Sequence, residues 1–145
     1  MKAWLFVRAA SSITLLYCAG HMAGMPWTPV TRPQETALLE IMKSDRFEVM
    51  GNLRTYWDFY IGFGIIIGGF LALQAVILWQ MASLARANPK QARPILVVFL
   101  VSFLANAAIA WKYFFPIPVI LATATSLCLG VALMLLRREI ADNRS

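Results

Sequence analysis

Residues 95–136 read ILVVFLVSFLANAAIAWKYFFPIPVILATATSLCLGVALMLL. As a single helix rising 1.5 Å per residue this stretch would be about 63 Å long, twice the roughly 30 Å of hydrocarbon in a bilayer. Pro116 and Pro118 cut it in two, because proline has no backbone N–H and pushes the preceding residue out of helical geometry. Two spans joined by a tight hairpin follow. Working outward, Trp4 to Met22 and Phe59 to Leu84 are apolar runs of comparable length. All four runs are continuous and not alternating, which in lipid means helices and not a barrel. With 60% hydrophobic and 14% charged residues in 145, little remains for a water-soluble part. The chain therefore reads as an all-α membrane protein. It is a four-transmembrane-helix bundle in one integral membrane domain over 1–145, with spans at about 4–23, 56–84, 95–115 and 117–137.

Orientation follows from the lysines and arginines near the span ends. Arg86, Lys90 and Arg93 lie between the second and third runs without an acid, Arg137, Arg138 and Arg144 follow the fourth, and Lys2 and Arg8 mark the start. In the first loop Arg32, Lys43, Arg46 and Arg54 are balanced by Glu35, Glu40, Asp45 and Glu48, and the third connection has Lys112 alone. These counts predict a bacterial inner-membrane protein with both termini cytoplasmic. The net charge of +6 is then a topological signal, and nucleic acid is not an expected partner. Arg8 inside the first run argues against a cleaved signal peptide. The sequence Leu15-Leu16-Tyr17-Cys18 resembles a lipoprotein box, but the bulky tyrosine before the cysteine does not fit one. Cys18 and Cys128 stand apart from any second ligand and read as buried apolar thiols.

The outer loop, 26–52, is the one sizeable extramembrane piece. Thr31-Arg32-Pro33-Gln34 has the spacing of a capping box, and Ala37, Leu38, Ile41 and Met42 recur at helical spacing opposite Glu35, Glu40 and Lys43. A short amphipathic helix on the outer membrane surface, or over the end of the bundle, is expected. Gly20 with Gly24, Gly64 with Gly68, and Ala122, Ser126 and Gly130 are small-residue patterns that let helices approach, within the chain or in a homodimer.

With this topology three helices bring polar groups to one depth near the outer leaflet. His21 ends the first span, Arg54, Trp57, Asp58 and Tyr60 open the second, and Asn106, Trp111 and Tyr113 lie in the outer part of the third. Polar groups inside spans are costly and tend to be functional. Arg54 and Asp58, four apart, would share a helical face, with Asp58 a general acid/base or a counter-ion for a cationic ligand, or a plain structural ion pair. His21 is a proton relay, a hydrogen-bond partner for a ligand headgroup, or a satisfied interface residue. Ser102, Asn106, Ala110 and Tyr113 form a stripe expected to face inward, where Asn106 holds a ligand or joins two helices. Lys112 points away from it, toward the headgroups. Trp27, Trp57, Trp111, Tyr56 and Tyr113 equally fit an interfacial aromatic belt.

The segments Gly51 to Tyr60 and Trp111 to Pro118 resemble those of small four-span bacterial inner-membrane proteins, a resemblance that carries no activity. His21, Asp58, Asn106 and Trp111 are more weakly similar to the pocket residues of the emopamil-binding and sigma-2-receptor superfamily, whose members bind cationic lipophiles or isomerise sterols. That superfamily uses more than one acidic residue in its spans, whereas Asp58 stands alone here. The expected function is binding of a lipid or small lipophilic ligand in an outer-leaflet polar pocket. The alternatives are a non-catalytic accessory subunit of a membrane complex and a lipid- or isoprenoid-modifying enzyme. No phosphate loop, dinucleotide fingerprint, nucleophile elbow or zinc pattern is present in the sequence, and no cofactor is expected.

Overall fold

The computed structural model describes residues 2–24 and 28–142. Trp27 of the aromatic belt and Arg144 of the basic tail lie outside the described residues. Four helices are long and apolar enough to cross a membrane: α1 (Ala3–Gly24), α3 (Tyr56–Ala87), α4 (Pro89–Tyr113) and α5 (Pro116–Asp142). The chain is thus an all-α membrane protein of four spans. A short helix, α2 (Pro33–Ser44), and a β-hairpin, β1 (Arg46–Val49) and β2 (Asn52–Thr55), lie between α1 and α3 in sequence.

The helices run past their apolar runs because polar residues cap them. The Asn88 N–H donates to the Leu84 carbonyl at 2.7 Å and closes α3, and the Asn88 side chain accepts from the Gln91 N–H at 3.2 Å and opens α4. One residue therefore makes the whole connection. Arg86, Lys90 and Arg93, expected in a loop, sit on helix ends instead. Phe114 donates to the Ala110 carbonyl at 2.9 Å, and Pro116 occupies the first position of α5, where its missing N–H has no partner to lose. The α4–α5 hairpin predicted from the prolines is present.

The chain divides into two units, 1–17 with 71–145 and 18–70. In the first, Val7, Ala10, Leu78, Ala82, Leu96, Phe103, Leu129, Ala132 and Leu136 form a buried cluster drawn from all four long helices. The many alanines let the helices approach where the hydrophobic effect gives no drive between them. Ser11 Oγ donates across to the Ala75 carbonyl at 2.7 Å, while Thr14 and Ser126 turn back onto their own helix. The Ala3 N–H donates to Glu139 Oε1 at 3.4 Å, so the start of α1 meets the end of α5. The expected inward stripe on α4 is corrected. Ala110 is buried and Asn106 half-buried, but Ser102 and Tyr113 are exposed, and Ala92, Leu96 and Phe103 carry the packed face. Apolar volume, not polarity, sets the rotation of this helix.

In the second unit, Gly64 and Gly68 of α3 are buried. Cys18 Sγ donates to the Gly68 carbonyl at 3.3 Å, and His21 Nε2 lies 2.8 Å from the Gly64 carbonyl. A Cβ on Gly68 would run into the Met22 sulfur. This glycine pair admits side chains of α1 as its spacing predicts, whereas Gly20 and Gly24 have open space at their Cβ positions. Helix α2 occupies the predicted segment, but the capping box does not form. Arg32 takes the N-cap position without a side-chain cap, Pro33 begins the helix, and Arg32 Nε pairs with Glu35 Oε2 at 3.2 Å. Leu38 and Ile41 on its apolar face are exposed.

The hairpin was not expected. Arg46 pairs with Thr55 and Val49 with Asn52, leaving the two-residue turn Met50-Gly51 with φ of 50° and 78°. Two consecutive positive φ values are the geometry of a type I′ turn, which matches the twist of the strands it joins. Gly51 adopts this without a Cβ penalty; Met50 does not.

Candidate functional site

The end of the hairpin and the first turn of α3 build the site together. The Thr55 N–H donates to Asp58 Oδ2 at 2.8 Å, and the Asp58 N–H donates to Thr55 Oγ1 at 3.1 Å. This reciprocal pair is a capping box, so the carboxylate and hydroxyl satisfy N–H groups that no turn of helix can reach. Phe47 of β1 packs on Tyr56 and Phe59, with ring centroids 4.6 and 5.9 Å apart, and fixes the hairpin against the helix start.

A half-open, mostly polar cleft of about 360 Å³ lies in this corner. Lys43 from α2, Arg46 from β1 and Arg54 from β2 line it, together with Leu53, Thr55, Trp57 and Asp58. The Lys43 ammonium sits 4.7 Å from the centre of the Trp57 ring, a cation–π contact, and Tyr60 stacks on the same indole at 5.5 Å. Three cations against one carboxylate make the cleft electropositive. Because Asp58 Oδ2 already accepts the Thr55 N–H, the carboxylate is committed to the helix start.

Of the residues singled out by sequence, Arg54, Trp57 and Asp58 line this cleft and Tyr60 braces it. Arg54 belongs to β2 and not to a helix, so the shared helical face with Asp58 does not exist; among the described residues the two form no ion pair, and Arg54 donates to the Leu53 carbonyl at 2.8 Å. His21 is bound to Gly64, away from the cleft lining. Asn106 accepts from the Tyr17 hydroxyl at 3.5 Å, within the other unit. Trp111 and Tyr113 are 80% and 68% exposed, and Lys112 Nζ, expected to point away from the stripe that includes Tyr113, lies 5.2 Å from the Tyr113 ring.

Lys43, Arg46, Leu53 and Thr55 were missed. The signal for Thr55 was present, since Thr55-Tyr56-Trp57-Asp58 has capping-box spacing immediately before an apolar run. The hairpin that delivers Arg46 and Leu53 has no buried face and lacks an Asn-Gly turn, so neither usual strand cue marks it.

Comparison with protein-family models, with curated proteins and with solved structures finds no match.

Proposed function

We propose that this protein is a multi-pass protein of the bacterial inner membrane, with both termini cytoplasmic, that binds a lipid or lipophilic small molecule by an anionic head in the cleft beside the hairpin. The observation that carries this reading is the convergence of Lys43, Arg46 and Arg54, from three separate elements, on a cleft whose one carboxylate is held by a backbone N–H. A cationic head would meet three like charges there. A phosphate or carboxylate would accept charge-assisted hydrogen bonds from the two guanidinium forks and the ammonium. Trp57, half-buried and held by Lys43 and Tyr60, offers an amphipathic ring suited to the boundary between head and tail. The preference for an anionic head departs from the counter-ion role that sequence alone suggests for Asp58.

The test is mass spectrometry of the lipids and small molecules that co-purify with the protein in mild detergent. The reading expects a stoichiometric anionic amphiphile. In the double variant Lys43→Gln with Arg54→Gln its retention should fall by about tenfold or more, since each charge-assisted hydrogen bond contributes about 1.5 kcal/mol or more. A retained cationic species, or retention indifferent to the double variant, would overturn the proposal.

A further inference from the structure

The unit formed by 1–17 and 71–145 holds a second gathering of cations and indoles, built differently from the cleft. On α1, Trp4 and Arg8 are four residues apart and share a face. The Arg8 guanidinium carbon lies 5.0 Å from the centre of the Trp4 ring and 4.8 Å from that of Trp79 on α3. Arg86, near the end of α3, comes within 5.7 Å of the same Trp4 ring. Two guanidinium groups thus share one indole.

The donors here outnumber the acceptors. Arg8 Nε and Trp4 Nε1 are both buried and have no hydrogen-bond partner among the described residues. Glu139, at the same end of the unit, accepts from the Ala3 N–H. A guanidinium inside a span is costly, and indole faces offset only part of its lost hydration. Two like charges beside two unpartnered donors suit an anion with several acceptor oxygens. One edge of the cluster reaches the surface of the spans, where Trp79 is 50% exposed. An anion arriving at that surface must carry an apolar body with it.

We infer that Arg8, Trp4, Trp79 and Arg86 form a binding site for the phosphate of an anionic phospholipid, separate from the hairpin cleft. The phosphate oxygens accept from the Arg8 fork and the Trp4 indole N–H, Arg86 supplies the second charge, and the acyl chains lie against the exposed side of Trp79. Basic pockets between spanning helices are suited to such headgroups.

Fluorescence tests this directly. With Trp27, Trp57 and Trp111 changed to Phe, Trp4 and Trp79 are the remaining indoles, and the full chain can be placed in bilayers containing chain-brominated phosphatidylglycerol or phosphatidylcholine. Phosphatidylglycerol should quench preferentially, and Arg8→Gln and Arg86→Gln should each reduce that preference by about fivefold, the effect of one cation near an anionic surface. Arg86 is exposed at a helix end, so its variant reports even where Arg8→Gln impairs folding. Equal quenching by the two lipids, or a preference that survives both substitutions, overturns the inference. So does a preference lost in Lys43→Gln with Arg54→Gln, which would place the lipid in the cleft. Added inorganic phosphate, at matched ionic strength with chloride, should leave the preference intact; its abolition would assign the site to free phosphate.

Discussion

The two units of this chain are held by different forces. Residues 1–17 with 71–145 share a buried cluster running from Ala3 to Leu136, whereas among the described residues of 18–70 the buried positions are Gly64 and Gly68. The second unit is assembled from carbonyl contacts to α3, a capping box, a strand ladder and a run of aromatic pairs. Packed apolar volume gives a rigid, high-stability body, while exposed backbone hydrogen bonds open locally at low cost. The region that carries the electropositive cleft is therefore the more adaptable of the two.

Substitutions rank the difference. Phe103, 1% exposed, is the largest fully buried side chain among the described residues, and Phe103→Ala should cost about 3–5 kcal/mol in thermal or denaturant unfolding in detergent. A loss below 1 kcal/mol would show that the apolar cluster does not set the stability of its unit. Next comes Gly68→Ala, whose new methyl meets the Met22 sulfur. Overpacking of this kind costs about 1–3 kcal/mol, whereas Gly20→Ala and Gly24→Ala, with open space, should stay within about 0.5 kcal/mol of the parent. Equal effects at all three glycines would erase the distinction between the paired and the open glycine pattern.

Smaller still, Thr55→Ala removes the cap hydroxyl and should cost about 0.5–2 kcal/mol. Its particular signature is local: amide exchange should rise in 46–60 and stay unchanged in 96–136. Exchange rising uniformly would mean that the two units unfold as one. The same experiment on the parent protein should already show the hairpin amides exchanging faster than those around Phe103 and Leu129.

The sequence made the spans legible because length and apolarity act over 20 residues at once, and Pro116 and Pro118 marked their shared boundary without ambiguity. Helix α2 was legible from its periodicity. Its start was not, since Arg32, a residue type with no N-cap preference, takes the N-cap position and Pro33 begins the helix one residue later than a cap at Thr31 would place it. The site was only partly legible. Arg54 and Asp58 were found as a pair, but the helix was extended one turn too far toward the N-terminus, converting a strand residue and a capping residue into an ion pair. In sequence Arg8 is a topological charge that argues against a signal peptide, because its neighbour Trp79, 71 positions away, is invisible to any local pattern.

The Met50-Gly51 turn has a practical consequence for anyone wishing to attach something to this molecule. Met50 is 97% exposed and is flanked by a strand ladder that is already closed on both sides. The chain can be opened there, and an epitope, a fluorophore or a rigid fiducial module spliced in, while the lesion stays confined to one reverse turn. The Asn88 junction offers no such freedom, because its single residue simultaneously finishes one helix and begins the next.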